Sequence, residues 1–206
     1  MNTPNFQQDL ASIRNIMERS VKFISLSGLS GALAGIYAVA GAAYAYTVLY
    51  MENVLRPARY FVENPEKATH LLLTAALVLA ASLFTGWYLS YRKAKKANTS
   101  AWNETSKRLV VNLAIPLLTG GFFILILFSG GYFELLVPCS LVFYGLALIQ
   151  ASNHLYNEAR NLGYLEIALG LAAAGLPSLG LYFWVAGFGI LHIIYGFIMY
   201  RRYDRA

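Results

Sequence analysis

The sequence is short of charge. Only 13% of its 206 residues are Asp, Glu, Lys or Arg, where a soluble domain carries about 25%. That excludes an ordinary water-facing surface for a chain of this size. Cysteine is nearly absent too. The single Cys139 rules out an internal disulfide framework and any multi-cysteine metal site, and its apolar surroundings suit a small buried hydrophobe. There is no Walker loop, no G-x-G-x-x-G after a strand, no H-E-x-x-H and no G-x-S-x-G. The three histidines, His70, His154 and His192, fall on different apolar segments. No two of them share a depth that would suit bis-histidine haem ligation. No cofactor or metal is therefore expected. A membrane enzyme acting on lipid is the weakest functional reading, since no nucleophile–base arrangement is visible. Domain boundaries, low-complexity tracts and internal repeats are also lacking, so residues 1–206 read as a single transmembrane domain.

What is present is apolar sequence, 58% of the chain. Spans of about 20 residues can be drawn at about 22–49, 69–91, 109–128, 132–152, 162–176 and 179–200. The fold class expected is an all-α polytopic transmembrane bundle of about six spans. The fifth run is short, so its helix should begin near Asn157 at the membrane surface. Ahead of span 1, Phe6, Leu10, Ile13 and Met17 recur at helical spacing, with Thr3-Pro4 as a start signal. Residues 1–19 read either as an amphipathic helix on the inner leaflet or as a helix packed on the loops. Ala43 and Ala45 form an A-x-A pair, but the apolar run exceeds the ~7–15 residues of a signal-peptide core and more spans follow, so an uncleaved helix is expected. Pro116 falls inside span 3 and should kink it.

Lysine and arginine give the orientation. Thirteen lie in the N-terminal segment, the second and fourth connections and the tail, against three (Arg56, Arg59 and Lys67) in the first connection. By the positive-inside rule both termini are cytoplasmic. The same excess accounts for the net charge of +6 and implies contact with anionic head groups of a lipid bilayer. Nucleic acid is not an expected partner, because the basic run 92–96 is short and abuts a span. The connections after spans 3 and 5 are only a few residues long, so spans 3–4 and 5–6 should each form a helical hairpin. The first connection, about 50–68, reads as a solvated cap with an Asn64-Pro65 turn signal.

Small residues mark packed helix faces. Ser27, Gly31 and Gly35 form a small-xxx-small stripe on span 1. Packing within the chain's own bundle is favoured over homo-oligomerisation, which remains the alternative. In the last hairpin, Gly163, Glu166 and Gly170 share one face of span 5, and Gly189, His192 and Gly196 share one face of span 6. An acid and an imidazole are each flanked by glycine, at similar distances from the turn near Pro177. Ionisable groups within spans usually face a partner or a cavity. Glu166 and His192 should thus lie within hydrogen-bonding reach on the inner half of the bundle. They form either a proton- or ligand-binding pair or a structural bond that pins the hairpin. Gln150, Asn153, His154 and Glu158 form a polar stretch at the end of span 4. It either lines a hydrated vestibule near Glu166 or marks where the helix leaves the membrane.

FISLSGLSGALAGIY (23–37), LGYLE (162–166), GFGILH (187–192) and Tyr195-Gly196 resemble segments of a group of uncharacterised small six-span bacterial inner-membrane proteins. The resemblance covers about a third of the chain and implies a location, the bacterial inner membrane, but no activity. Two functions remain open. One is a small sensor or transporter-like protein with a polar intramembrane Glu/His site. The other is a non-catalytic membrane subunit or scaffold that assembles through glycine-rich faces.

Overall fold

The computed structural model describes residues 28–50, 57–96, 98 and 102–204. The expected amphipathic segment 1–19 and Ser27 lie outside the described residues. Among those residues all regular structure is helical. The α-helices are α1 (Gly28–Tyr50), α2 (Pro57–Glu63), α3 (Pro65–Lys96), α4 (Glu104–Ser129), α5 (Leu136–Ala151), α6 (Asn157–Gly175), α7 (Gly180–Trp184) and α8 (His192–Met199). A π-helical segment, Val185–Leu191, joins α7 to α8, and a second, Tyr200–Asp204, extends α8. The stretch Gly180–Asp204 is called the last helix below.

Five helical stretches are long and apolar enough to cross a membrane: Gly28–Val48, Pro65–Lys96, Glu104–Ser129, Phe133–His154 and Pro177–Asp204. α6 is not among them, because Asn157, Glu158, Arg160 and Asn161 make its first turns polar. It does begin at Asn157. The ends follow local chemistry. Asn103 accepts from the Ser106 N–H at 2.9 Å while Ser106 Oγ accepts from the Asn103 N–H at 2.7 Å, a reciprocal cap that starts α4. α4 runs unbroken through Pro116. The first connection is less loop than expected. α2 occupies Pro57–Glu63, and Phe61 lies edge-on to Phe133, centroids 5.7 Å apart, across the mouth of the next hairpin.

The helices form a row rather than a ring. α3 packs on α1, and α1 packs on the last helix; separately, α4 packs on α5 and α5 on α6. The two groups of three meet along a narrower seam, where α7, Val185–Leu191 and α8 touch α5 and α6. The ends of the row, α3 and α4, make no substantial contact with each other. Their outer faces are uncovered: Leu77 and Phe84 on α3 and Leu118, Phe122 and Ile126 on α4 are all exposed.

Spans 3 and 4 pack as expected and spans 5 and 6 meet along the seam, but the most extensive contact joins spans 4 and 5 (α5 and α6). Matched glycines are the reason. A Cβ on Gly163 would lie 2.8 Å from the Gly145 carbonyl oxygen, and one on Gly145 would lie 2.6 Å from that of Gly163. A Cβ on Gly170 would lie 2.9 Å from the Pro138 carbonyl oxygen. These backbones touch because neither helix carries a side chain there.

Candidate functional site

The glycine stripe of α6 turns Gly163 and Gly170 towards α5. Glu166, three and four residues away on the helix, is carried round to the seam. It is 0% exposed. On the last helix, Gly189 and Gly196 face α1: their added Cβ atoms would lie 2.9 Å from Val39 Cγ2 and 2.7 Å from the Gly28 carbonyl oxygen. Gly35 answers from α1, 2.6 Å from the Gly189 oxygen by the same measure, whereas Gly31 is looser, 3.2 Å from Tyr195 Cδ1. The glycines beside the acid and the imidazole therefore bind each helix to a third partner, not to each other. What admits Glu166 to the last helix is Gly187. A Cβ there would collide with Glu166 Oε2 and lie 2.6 Å from Leu141 Cδ2.

Glu166 Oε1 and His192 Nδ1 are 3.4 Å apart. The imidazole is already engaged. Its Nδ1–H donates to the Gly187 carbonyl at 3.0 Å, since a carbonyl can only accept. In the neutral ring that leaves Nε2 as an acceptor, and Tyr144 Oη, 2.7 Å away on α5, donates to it. Glu166 thus sits at ion-pair distance from the ring yet accepts no proton from it. Neither carboxyl oxygen has a hydrogen-bond partner among the described residues. Phe188 lies tilted beside the ring, centroids 6.0 Å apart, and Trp184 lies against Phe188 at 5.4 Å. The walls are therefore aromatic and apolar. The π-helical segment Val185–Leu191 ends at His192. Such a segment puts an extra residue into a helical turn, and in proteins generally it concentrates at functional positions.

Glu166 is midway along α6, as far from Asn157 as from Gly175. The polar stretch after span 4 does not reach it. α5 ends at Ala151, a single 3-10 turn covers Ser152–His154, and Leu155 is extended. The expected stripe is broken there. Gln150 and Asn153 are exposed. His154 Nδ1 faces Asn112 Nδ2 at 3.3 Å on α4. Glu158 is bonded to Arg202 and Tyr203 and lies eight residues from Glu166, about 12 Å of helix rise. Burial pushes the Glu158 carboxyl up, but its own backbone N–H and the bonds from Arg202 and Tyr203 outweigh that and hold it below its ordinary value.

Sequence reasoning missed Tyr144 and Gly187. A signal existed for each. Tyrosine is common at membrane interfaces, so a tyrosine in the middle of an apolar span is out of place. Gly187-Phe188-Gly189 supplies one glycine more than a single packed face needs. The fold and site together define a row of helices of membrane-spanning length and hydropathy around a buried carboxyl–imidazole–phenol cluster. No family model, curated protein or solved structure matches the chain.

Proposed function

We propose that the chain is a six-span integral membrane protein of the bacterial inner membrane. Both termini are cytoplasmic, and Glu166, with His192 and Tyr144, forms a proton- or small-solute-binding site of a sensor or transporter-like protein. Five stretches have the length and hydropathy to span. α6, 19 residues and so roughly 28 Å long, lies along α5 and buries Leu162, Gly163, Glu166, Gly170 and Ala173, which supports reading it as the sixth. The orientation rests on the thirteen-to-three split of Lys and Arg.

The observation that carries the site reading is the carboxyl of Glu166, fully buried with both oxygens unpartnered. A structural pin would use those oxygens, because a buried polar group without a partner costs about 1–3 kcal/mol. A binding site keeps them for what it binds. The location favours the same reading. The cluster stands where two three-helix groups meet most narrowly, so a change in its protonation or occupancy acts on their junction. The scaffold alternative loses its main support, because Gly35, Gly189 and Gly196 are all filled from within the chain.

The test separates stability from response. Glu166→Leu and Glu166→Gln, purified in mild detergent, should melt at or above the wild-type temperature, as replacing an unpartnered acid relieves its burial. In proteoliposomes carrying a pH-sensitive dye, the same variants should lose the response to an imposed pH gradient or solute that wild type shows. If both variants melt well below wild type, the acid is a structural pin and the site reading fails.

A further inference from the structure

A second polar feature lies away from Glu166, at the end of the row that carries the basic residues. Lys107, Arg108, Val111 and Asn112 on α4 and His154 after α5 line an open groove of about 380 Å³. Lys107, Arg108 and Val111 are exposed. Lys107 Nζ pairs with Glu104 at 3.1 Å, one turn earlier on the exposed face, whereas Arg108 has no ion pair among the described residues. Asn112 Nδ2 donates to His154 Nδ1, which puts the imidazole proton on Nε2. The groove therefore offers an ammonium, a guanidinium, and an imidazole N–H whose tautomer is fixed by its neighbour.

Its depth is marked by aromatic rings. Trp102 precedes α4, and Trp87 and Tyr91 lie near the end of α3; all three are exposed. Exposed Trp and Tyr beside clustered Lys and Arg mark head-group level. Above the groove the surface of α4 turns apolar at exposed Val110, Val111 and Ile115, so a ligand with a charged head and an apolar tail finds both in register. We propose that this groove binds a phosphate oxyanion carried by an anionic lipid head group. Arg108 gives a forked contact of the kind guanidinium makes to phosphate, and His154 Nε2–H supplies a further donor. The inference rests on the membrane reading but not on the Glu166 site.

The test uses the full chain in detergent, with thermal stability followed as phosphatidylglycerol or phosphatidylcholine is added. Phosphatidylglycerol should stabilise the protein and phosphatidylcholine should not. Arg108→Gln and Lys107→Gln should each weaken the apparent affinity for phosphatidylglycerol by about tenfold. Arg160→Gln, an equal loss of charge at the same end of the bundle, should leave it unchanged. Equal stabilisation by the two lipids, or an equal loss in all three variants, would overturn the site. If sodium phosphate at matched ionic strength reproduces the effect, free phosphate is the ligand and the lipid assignment falls. Every variant should also insert into phosphatidylcholine vesicles; a wild-type chain that fails to insert refutes the membrane reading instead.

Discussion

The two halves of the row solve one packing problem with opposite connectivity. In one half, α5 and α6 press glycine to glycine, Gly145 on Gly163, across a connection of five residues, 152–156. In the other, α1 and the last helix do the same, Gly35 on Gly189 and Gly196 on Gly28, between the first and last helices described. The contact chemistry is alike, and the sequence separation differs several-fold. A glycine stripe thus reports that a face is packed and is silent on which helix covers it. The halves also divide the site. The α5–α6 pair brings the carboxyl and the phenol, and the last helix brings the imidazole and the Gly187 notch.

The largest effects should come from filling these contacts. Gly163→Leu and Gly196→Leu each drive a side chain into the backbone of a facing helix, at about 3 kcal/mol or more, and both should abolish a monodisperse peak in size-exclusion chromatography. Gly121→Leu, where an added Cβ meets nothing within 4 Å, should elute and melt like wild type. A finer comparison lies on α1: Gly35→Ala should lower the melting temperature clearly and Gly31→Ala less, since an added Cβ would lie 2.6 Å from the Gly189 oxygen at Gly35 but no nearer than 3.2 Å to any neighbour at Gly31. If Gly163→Leu is tolerated while Gly196→Leu is not, the halves are not equivalent and the sequence-distant pair alone holds the bundle.

Next come the groups at the seam. Tyr144→Phe removes the donor to His192 Nε2 and should cost about 1–2 kcal/mol, seen as a lower melting temperature in detergent. His192→Gln should cost more than Tyr144→Phe, because it strands both the phenol and the Gly187 carbonyl. The double variant Tyr144→Phe/His192→Gln should lose less than the sum of the two; additive losses would mean that the phenol and the imidazole are not coupled.

The smallest effects belong to the tie between Glu158 and the last helix. Glu158→Gln should lower the melting temperature by about 1–2 °C. The sign with pH follows from the depressed carboxyl. Its contribution is fully present above the ordinary glutamate value of about 4.3 and is lost as pH falls through the lower, folded-state value. The gap between wild type and Glu158→Gln should therefore close on acidification. A gap that is unchanged at low pH would mean that the charge contributes nothing.

Much of the fold was legible because it depends on run length and composition. Five of the six expected spans reappear as membrane-length helices, and the remaining one, span 5, starts at Asn157 as its short apolar run suggests. The nearness of Glu166 and His192 was legible from their similar distances to the turn near Pro177. The choice of neighbours was not, because Gly170 and Gly189 look alike in sequence whichever helix they face. Nor was the hydrogen bonding at His192. The commitment of Nδ1 to Gly187 depends on the π-helical segment, which leaves no trace in periodicity, and on span 4 it was the polar end at Gln150, not mid-helix Tyr144, that was weighed as part of the site.

The tail has a further role at one end of the bundle. Asp204 accepts the backbone N–H of Gly28 at 2.8 Å and pairs with Lys93 at 2.6 Å. It thus joins the start of α1, the end of α3 and the last residues described. α1 leaves the ribosome well before the surface it needs has been made. Until Gly180–Asp204 has been synthesised, the glycine face of α1 stands open in the bilayer, while α5 and α6 can close as soon as both exist. Assembly in the cell is therefore ordered, with the sequence-local half first and the long-range half completed only after Gly180–Asp204 has been made. A ribosome stalled a few codons short of Asp204 would hold a chain whose first helix is still waiting for its partner.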